Sequence, residues 1–289
     1  MSKISRREFL GKSAIGIGSA VLVSQIPYNL YANELSEKVK MPVGFQVWTV
    51  KDLLIKDFPG TLKMMAGLGY QCVEMCSPPG YESSGFGPLI KLKGKEMKQI
   101  INDAGLTFES THYGMDELRN HLDERIQFAL DSGQKQMILS SFGLPEKATM
   151  SDWIKSADEL NQMGIKTKKA GIQLGYHNHH MEFSKIDGSL IYDALMNQFD
   201  PEFIKMQFQV AVISIGYKAS DYFKKYPGRF ISAHLADWSA TEKKSVPVGK
   251  GIVDWKEFFA SLKTGGVKNI FVEMDLETFK DSATYIHNL

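Results

Sequence analysis

The stretch Leu174-Gly-Tyr-His-Asn-His-His-Met-Glu-Phe183 ends a short apolar run in three of the chain's seven histidines and a carboxylate. Side chains two apart leave the same face of a strand. A strand that stops here therefore sends His177 and His179 out together at its exit, a place to hold a metal ion or a polar ligand. A surface loop that gathers histidines is the plainer reading, and the rest of the chain decides between them.

Moving outward from this run, short apolar segments alternate with longer segments of helical period, the signature of βα units and a parallel sheet. Strands are expected at 43–47, 72–75, 107–111, 136–140, 172–176, 204–209, 230–234 and 270–273. Helices are expected between them, at 58–67, 95–104, 116–132, 151–169, 190–197, 220–226, 255–263 and 278–287. Glycines 69, 105, 133, 171, 228 and 266 fall where a helix should end and the chain turn into a strand, and glycine tolerates the left-handed conformation that ends a helix. Eight βα units in about 250 residues is the count and size of a closed (β/α)8 TIM barrel. A doubly wound open sheet is the alternative, but Phe45-Gln-Val-Trp-Thr49 stands where its glycine-rich phosphate loop belongs. No linker divides residues 41–289, which are expected to form a single domain.

The first 32 residues read as something else. Ser5-Arg-Arg-Glu-Phe-Leu10 followed by a Gly/Ala/Ser-rich apolar run over 14–26 has the pattern of a twin-arginine export signal. The apolar run is interrupted and shorter than the roughly 20 residues a membrane span requires. Cleavage is expected near Tyr31-Ala32-Asn33, which makes the mature protein periplasmic or otherwise exported. Loss of 1–32 removes four basic residues and one acidic one, taking the formal charge from +1 to −2. That lacks the basic footprint of a nucleic-acid binder. Cys72 and Cys76, four apart in one extended run, cannot bridge each other and read as small buried residues.

A barrel of this kind carries its chemistry at the C-terminal ends of the strands. There the chain places Gln46 and Trp48, then Glu74, His112, His177 with His179, Gln209, His234 and Glu273. Burying charges and imidazoles costs several kcal/mol unless they are paired or bound, so His177, His234 and Glu273 together point to an ion or a polar substrate. Each alone is as readily a hydrogen-bonded structural residue. Two loops belong near the same face: Pro247-Val-Gly-Lys-Gly251, with Asp254 as the expected cap of the helix after it, and the Gly/Pro/Ser-rich Ser77–Pro88, either a lid or an ordinary surface loop.

These exits resemble the xylose-isomerase-like TIM-barrel superfamily, and most closely its sugar phosphate isomerase/epimerase family in an exported Bacteroidota-type branch. The resemblance rests on Val43–Asp52, Gly69–Glu74, Tyr176–Phe183, Gly228–Asp237, Val248–Gly251 and Val272-Glu273. It implies a divalent ion held by His177, Gln209, His234 and Glu273. The family commonly has Glu at the first of these positions and Asp at the second, and it has Lys and an aromatic residue where Ala236 and Val212 stand here. An imidazole suits zinc, manganese or similar ions, and the loss of two carboxylates makes a poor magnesium site.

The implied chemistry is proton abstraction beside a keto-sugar carbonyl, with Glu273 as base and His177, His179 or Glu182 as the second acid/base group. Gln46, Trp48, Glu74, His112, His179 and Lys250 are the expected substrate contacts. The missing strand-five carboxylate favours one abstraction followed by loss of a leaving group, as in cleavage of a 3-keto-glycoside or a dehydration. Export favours an unphosphorylated sugar or glycoside as the small-molecule partner. A metal-free, non-catalytic carbohydrate-binding barrel is the rival from another class. A DNA-repair nuclease is disfavoured by export, by charge and by too few His and Asp ligands.

Overall fold

A computed structural model describes residues 41–289; the export signal and its cleavage point lie outside the described residues. Eight strands close into a barrel: β1 (Val43–Gln46), β2 (Cys72–Cys76), β3 (Thr107–Gly114), β4 (Gln136–Ser141), β5 (Gln173–His177), β6 (Ile204–Gln209), β7 (Phe230–Leu235) and β8 (Asn269–Val272). They are all parallel, each pairs with its neighbours in sequence, and β1 closes on β8. Burial on both faces explains why the strands read as apolar runs rather than as alternating ones.

The helices that wrap the barrel are α1 (Lys51–Lys56), α2 (Phe58–Gly67), α3 (Gly94–Asp103), α4 (Met115–Ser132), α5 (Met150–Lys169), α6 (Ile191–Gln198), α7 (Ala219–Lys225), α8 (Trp255–Gly265) and α9 (Phe279–His287). The expected barrel and its eight βα repeats are present, and all six punctuating glycines have positive φ. None of the helices among the described residues is long and apolar enough to cross a membrane. Between sheet and helices lies an aromatic layer in which Phe223 and Phe230 meet edge to face at 4.7 Å, an arrangement aromatic rings favour.

Three local features depart from expectation. β1 stops at Gln46, because the Gln46 side chain turns back to accept the backbone N–H of Trp48 and caps a 3-10 turn over Val47–Val50. Trp48 therefore sits on that turn rather than on a strand, and α1 follows it unannounced by the sequence pattern. β8 ends one residue early, leaving Glu273 just beyond it with its N–H on Leu235 O at 3.1 Å. The loop after β2 is anchored by buried Phe86 and Leu89 and by Tyr81, whose hydroxyl lies 2.6 Å from Ser140 Oγ. Cys72 and Cys76 are buried free thiols.

One buried carboxylate organises the loop between β7 and α8. Asp237 accepts N–H groups from Gly249 and Gly251 at 3.0 Å, Val253 at 3.2 Å, Trp238 at 2.9 Å and the Trp255 indole at 2.8 Å. Asp254 caps α8 by accepting from Glu257 N. Lys250 rides on this loop as an exposed residue.

Inside the barrel, Gly44 leaves the room into which the Phe271 ring extends beneath His234, whose own ring is 6.1 Å away. A methyl group at Gly44 would run into Phe271 and stand 2.7 Å from Cys72 Sγ, closer than carbon and sulfur approach. Gly44→Ala is expected to destabilise the protein by about 1–3 kcal/mol through overpacking, seen as a lowered urea midpoint. An unchanged midpoint would show that the barrel interior relaxes freely at this layer.

Candidate active site

Strand register builds the site. Glu74 on β2 lies opposite Ser110 on β3, Cys76 opposite His112, His177 on β5 opposite Gln207 on β6, and Gln209 opposite His234 on β7. Residues two apart on one strand share a face, so these pairs fill successive layers of the barrel interior.

Glu74 has no exposed surface and draws donors from three strands. Ser110 Oγ and Gln207 Nε2, the latter at 2.8 Å, donate to its Oε1. His234 Nε2 donates to Oε2, and His112 Nε2 stands 3.1 Å from the same oxygen. Gln207 also donates to Ser232 Oγ at 2.9 Å and accepts from His112 Nε2 at 2.6 Å. Burial alone would raise the Glu74 pKa, but the two imidazoles hold it well below the usual carboxylate range.

His234 is bound at both ends, since its Nδ1 donates to Glu273 Oε2 at 3.0 Å. Burial opposes its charge, yet the Glu74 and Glu273 carboxylates push its pKa up to about 9. Glu273 Oε2 also accepts from Gln209 Nε2 at 2.6 Å, while Gln209 Oε1 accepts the backbone N–H of Ala211 at 3.2 Å. Burial raises the Glu273 pKa, but the His234 charge outweighs it and keeps the carboxyl below its ordinary value. With its side chain 17 % exposed, Glu273 is the ionised acid of this network that solvent reaches.

The histidines of the opening stretch part company. His177 is buried, its ring 4.5 Å from that of His234 and 5.0 Å from that of His112. Burial and the neighbouring imidazoles hold it neutral, well below the usual histidine range, and burial lowers His179 to about 4. The Nδ1 atoms of both are buried without a hydrogen-bond partner, each a deficit of about 1–3 kcal/mol. His180 points elsewhere, with its Nε2 3.0 Å from Ser214 Oγ.

Glu182, the other candidate acid/base group, lies apart from this cluster. Its carboxylate accepts the Tyr176 hydroxyl at 2.6 Å and the His179 N–H at 2.7 Å. Tyr176 alternates with His177 along β5 and packs outward on Phe142, so Glu182 braces the β5 exit from behind. Gln46 spends its side chain on the turn and on Cys76 Sγ. Trp48, 37 % exposed, has Lys51 Nζ 4.0 Å from its ring centre and Tyr81 edge-on at 6.0 Å. Lys250 makes no side-chain hydrogen bond or ion pair among the described residues.

Gln207, Ser110 and Ser232 belong to the network and were not singled out by reading strand exits. The signal for them was the two-residue step back along each strand: Gln209 to Gln207, His112 to Ser110, His234 to Ser232.

An ion needs deprotonated donors that converge. His112, His177 and His234 each offer a nitrogen, and these lie within 4.8 Å of one another. The partnerless His177 Nδ1 is the atom that most needs an acceptor of its lone pair or proton. The triad suggests a place for a divalent ion, but His234 gives both ring nitrogens to carboxylates and has to release a proton before it can serve, just as Gln209 has both amide atoms engaged.

Against known proteins, residues 62–288 match the sequence model of the family described as xylose isomerase-like TIM barrel. An inosose dehydratase of Geobacillus thermodenitrificans is 22% identical over 274 residues, covering 81% of this chain and 89% of that protein. A sugar phosphate isomerase/epimerase structure from Parabacteroides distasonis superposes with a TM-score of 0.74 at 23% identity, covering 87% of this chain and 95% of that one. The IOLI protein with a bound zinc atom superposes at 0.58 and 13% identity, covering 86% and 94%. At these identities the structural likenesses establish the fold alone.

The opposed histidines predict a pH signature for the chelator-treated protein. His234, raised above the unfolded value of about 6.5, contributes stability that is complete below that pH and is lost as pH climbs toward 9. His177 and His179, lowered, contribute stability that is complete above about 6.5 and is lost on acidification. Urea unfolding free energy is therefore expected to decline between pH 6.5 and 9, and Glu74→Gln to flatten that decline. Alkaline limbs of equal slope in the two proteins would refute the assignment of a charged His234.

Proposed function

The chain belongs to the xylose isomerase-like TIM barrel family, and from that premise we propose that it is an enzyme abstracting a proton beside the carbonyl of a keto-sugar or keto-cyclitol. One observation carries the finer reading. Among Glu74, Glu182 and Glu273, the last alone is ionised and reached by solvent: Glu74 is fully buried and Glu182 is committed behind β5. Epimerisation requires acid/base groups on both faces of the substrate, whereas isomerisation through an enediol, or elimination of a leaving group, works with one. Dehydration or cleavage of a 3-keto-glycoside is the preferred reaction, and the relatives named inosose dehydratase support it.

In this reading Glu273 takes the carbon-bound proton. His234 and Gln209 pin one of its oxygens, which fixes the direction of the other, and the paired imidazolium keeps the group ionised at neutral pH. His177 and His179 stay neutral, so their N–H groups can donate to the substrate's carbonyl and hydroxyl oxygens without delivering a full charge. The walls behind them are buried and exclude water from the enediolate that forms. A divalent ion beside His112, His177 and His234 would supply Lewis-acid polarisation of the carbonyl; His234 would first have to release a proton, and the ion would then take over from the imidazolium in holding Glu273 ionised.

The twin-arginine pattern supports export, and export supports an unphosphorylated substrate, with the Trp48 ring available for stacking against it. The proposal stands against the non-catalytic alternative on the pinned, ionised Glu273, which a binding module has no need to maintain.

Incubation of the protein with keto-inositols and 3-keto-glycosides in deuterated water is expected to give exchange of the proton beside the carbonyl, followed by water or aglycone loss. Glu273→Gln should lower both by roughly 100- to 10,000-fold, the range for a lost general base. Undiminished exchange in that variant, or a product inverted at carbon without elimination, overturns the reading.

A further inference from the structure

We propose that Lys51 is the acid that meets the leaving group: its ammonium receives the oxygen departing from the sugar and gives it a proton as the carbon–oxygen bond breaks. The substrate class this implies is a 3-keto-glycoside whose aglycone, an alcohol or a phenol, leaves through oxygen. The inference deepens the functional reading above and rests on it, and the test tells the failure of one from the failure of the other.

Lys51 opens α1 directly after the turn that carries Trp48, and its Nζ rests 4.0 Å from the centre of the Trp48 ring. That ring is in turn braced edge-on by Tyr81 at 6.0 Å, whose hydroxyl lies 2.6 Å from Ser140 Oγ. Lys51 is half-buried and forms no ion pair among the described residues, whereas Lys250 stands out in solvent. The His234 cation already gives both nitrogens to carboxylates. Lys51 is thus a sheltered cation at the mouth with no anion of its own. Its charge is directed inward. Cys76 shares the interior face of β2 with Glu74 and lies in register with His112. Burial pushes the Cys76 thiol up, Glu273 adds to that, and Lys51 opposes it, so ammonium and base act on the same interior position.

Elimination needs such a group beside the base. Glu273 takes the proton from the carbon next to the carbonyl, and the C–H electron pair passes into the enolate. As the carbonyl re-forms, that pair makes the carbon–carbon double bond, and the carbon–oxygen pair leaves on the aglycone oxygen. One proton has gone to Glu273 and one is required at the leaving oxygen; Lys51 supplies it, and water later restores both groups. The products are the unsaturated ketone and the free alcohol or phenol. The abstracted proton and the leaving oxygen sit on adjacent carbons, so the donor has to stand on a wall next to that of the base. The exit of β1 meets this condition, since Phe45 pairs with Val272 and the barrel closes β1 on β8. An alkoxide binds a proton far more tightly than an amine and gains most from the transfer; 4-nitrophenolate is a weak base and leaves without it.

The test gives the protein methyl, phenyl and 4-nitrophenyl 3-keto-glucosides in deuterated water and reads two signals separately, proton exchange beside the carbonyl and release of the aglycone. Lys51→Met should lower release of methanol and phenol by roughly 100-fold or more, the range for a lost general acid, and release of 4-nitrophenol by less than about threefold. With methanol and phenol as leaving groups, exchange should then outrun release, because the enolate returns to substrate before the bond to oxygen breaks. Equal losses for all three aglycones, as a structural role would give, or undiminished release of methanol overturns the proposal. Exchange by wild type without release of any aglycone overturns it as well, while leaving Glu273 as the base. No exchange by wild type overturns the functional reading itself, and the role of Lys51 with it.

Discussion

A carboxylate without exposed surface at the centre of a barrel has to be met by donors, because an unpaired buried charge costs more than any single contact returns. Glu74 meets that condition through Ser110, Gln207, His112 and His234. These four groups come from β3, β6 and β7, so one side chain ties together strands far apart in sequence. Satisfying Glu74 has consequences outward. His234, drawn to it by Nε2, is left with Nδ1 facing Glu273, and the charge it acquires keeps Glu273 ionised at the rim. The acid that solvent reaches thus has its state set by one that solvent never touches.

The strands and helices were legible in the amino-acid pattern because a parallel barrel buries both faces of each strand and ends its helices on glycine. The run 204–209 and the helix 58–67 have the bounds read from sequence alone. Failures occurred where a side chain overrode the pattern. Gln46 caps a turn and takes Trp48 off the strand, and α1 forms where an apolar strand seemed to be ending. In the site, the exit residues His112, His177, Gln209, His234 and Glu273 do gather, since exits of a closed barrel converge by topology. Glu182 lies apart from them for a reason sequence could have shown: Tyr176, its partner, has opposite parity to His177 on the strand. Gln207 went unnoticed because it lies one layer below the exit, although an amide two residues before Gln209 in an otherwise apolar strand is the sign of a polar interior.

Two of the positions at which this chain departs from its resemblance, 177 and 209, are coupled. With carboxylates at positions 177 and 209, two more anions would crowd Glu273 and raise its proton affinity unless a cation stayed in place. His177 and Gln209 remove both charges, so the ionised state of Glu273 can rest on His234 alone. The Gln209 amide adds the hydrogen-bond donor that a carboxylate could not have offered.

Four acids with little or no exposed side-chain surface near the mouth illustrate how geometry separates structural carboxylates from chemical ones. Asp237 is enclosed by five N–H donors and fixes a loop. Glu182 takes a tyrosine hydroxyl and a backbone amide, and burial raises its pKa. Glu74 is saturated by side-chain donors. Glu273 differs in that its donors, His234 and Gln209, both fall on one oxygen, leaving the other toward the opening. An acid held rigidly by half its valence, charged by a neighbour and open on its remaining side, has what a base needs, and none of the other three combines those conditions.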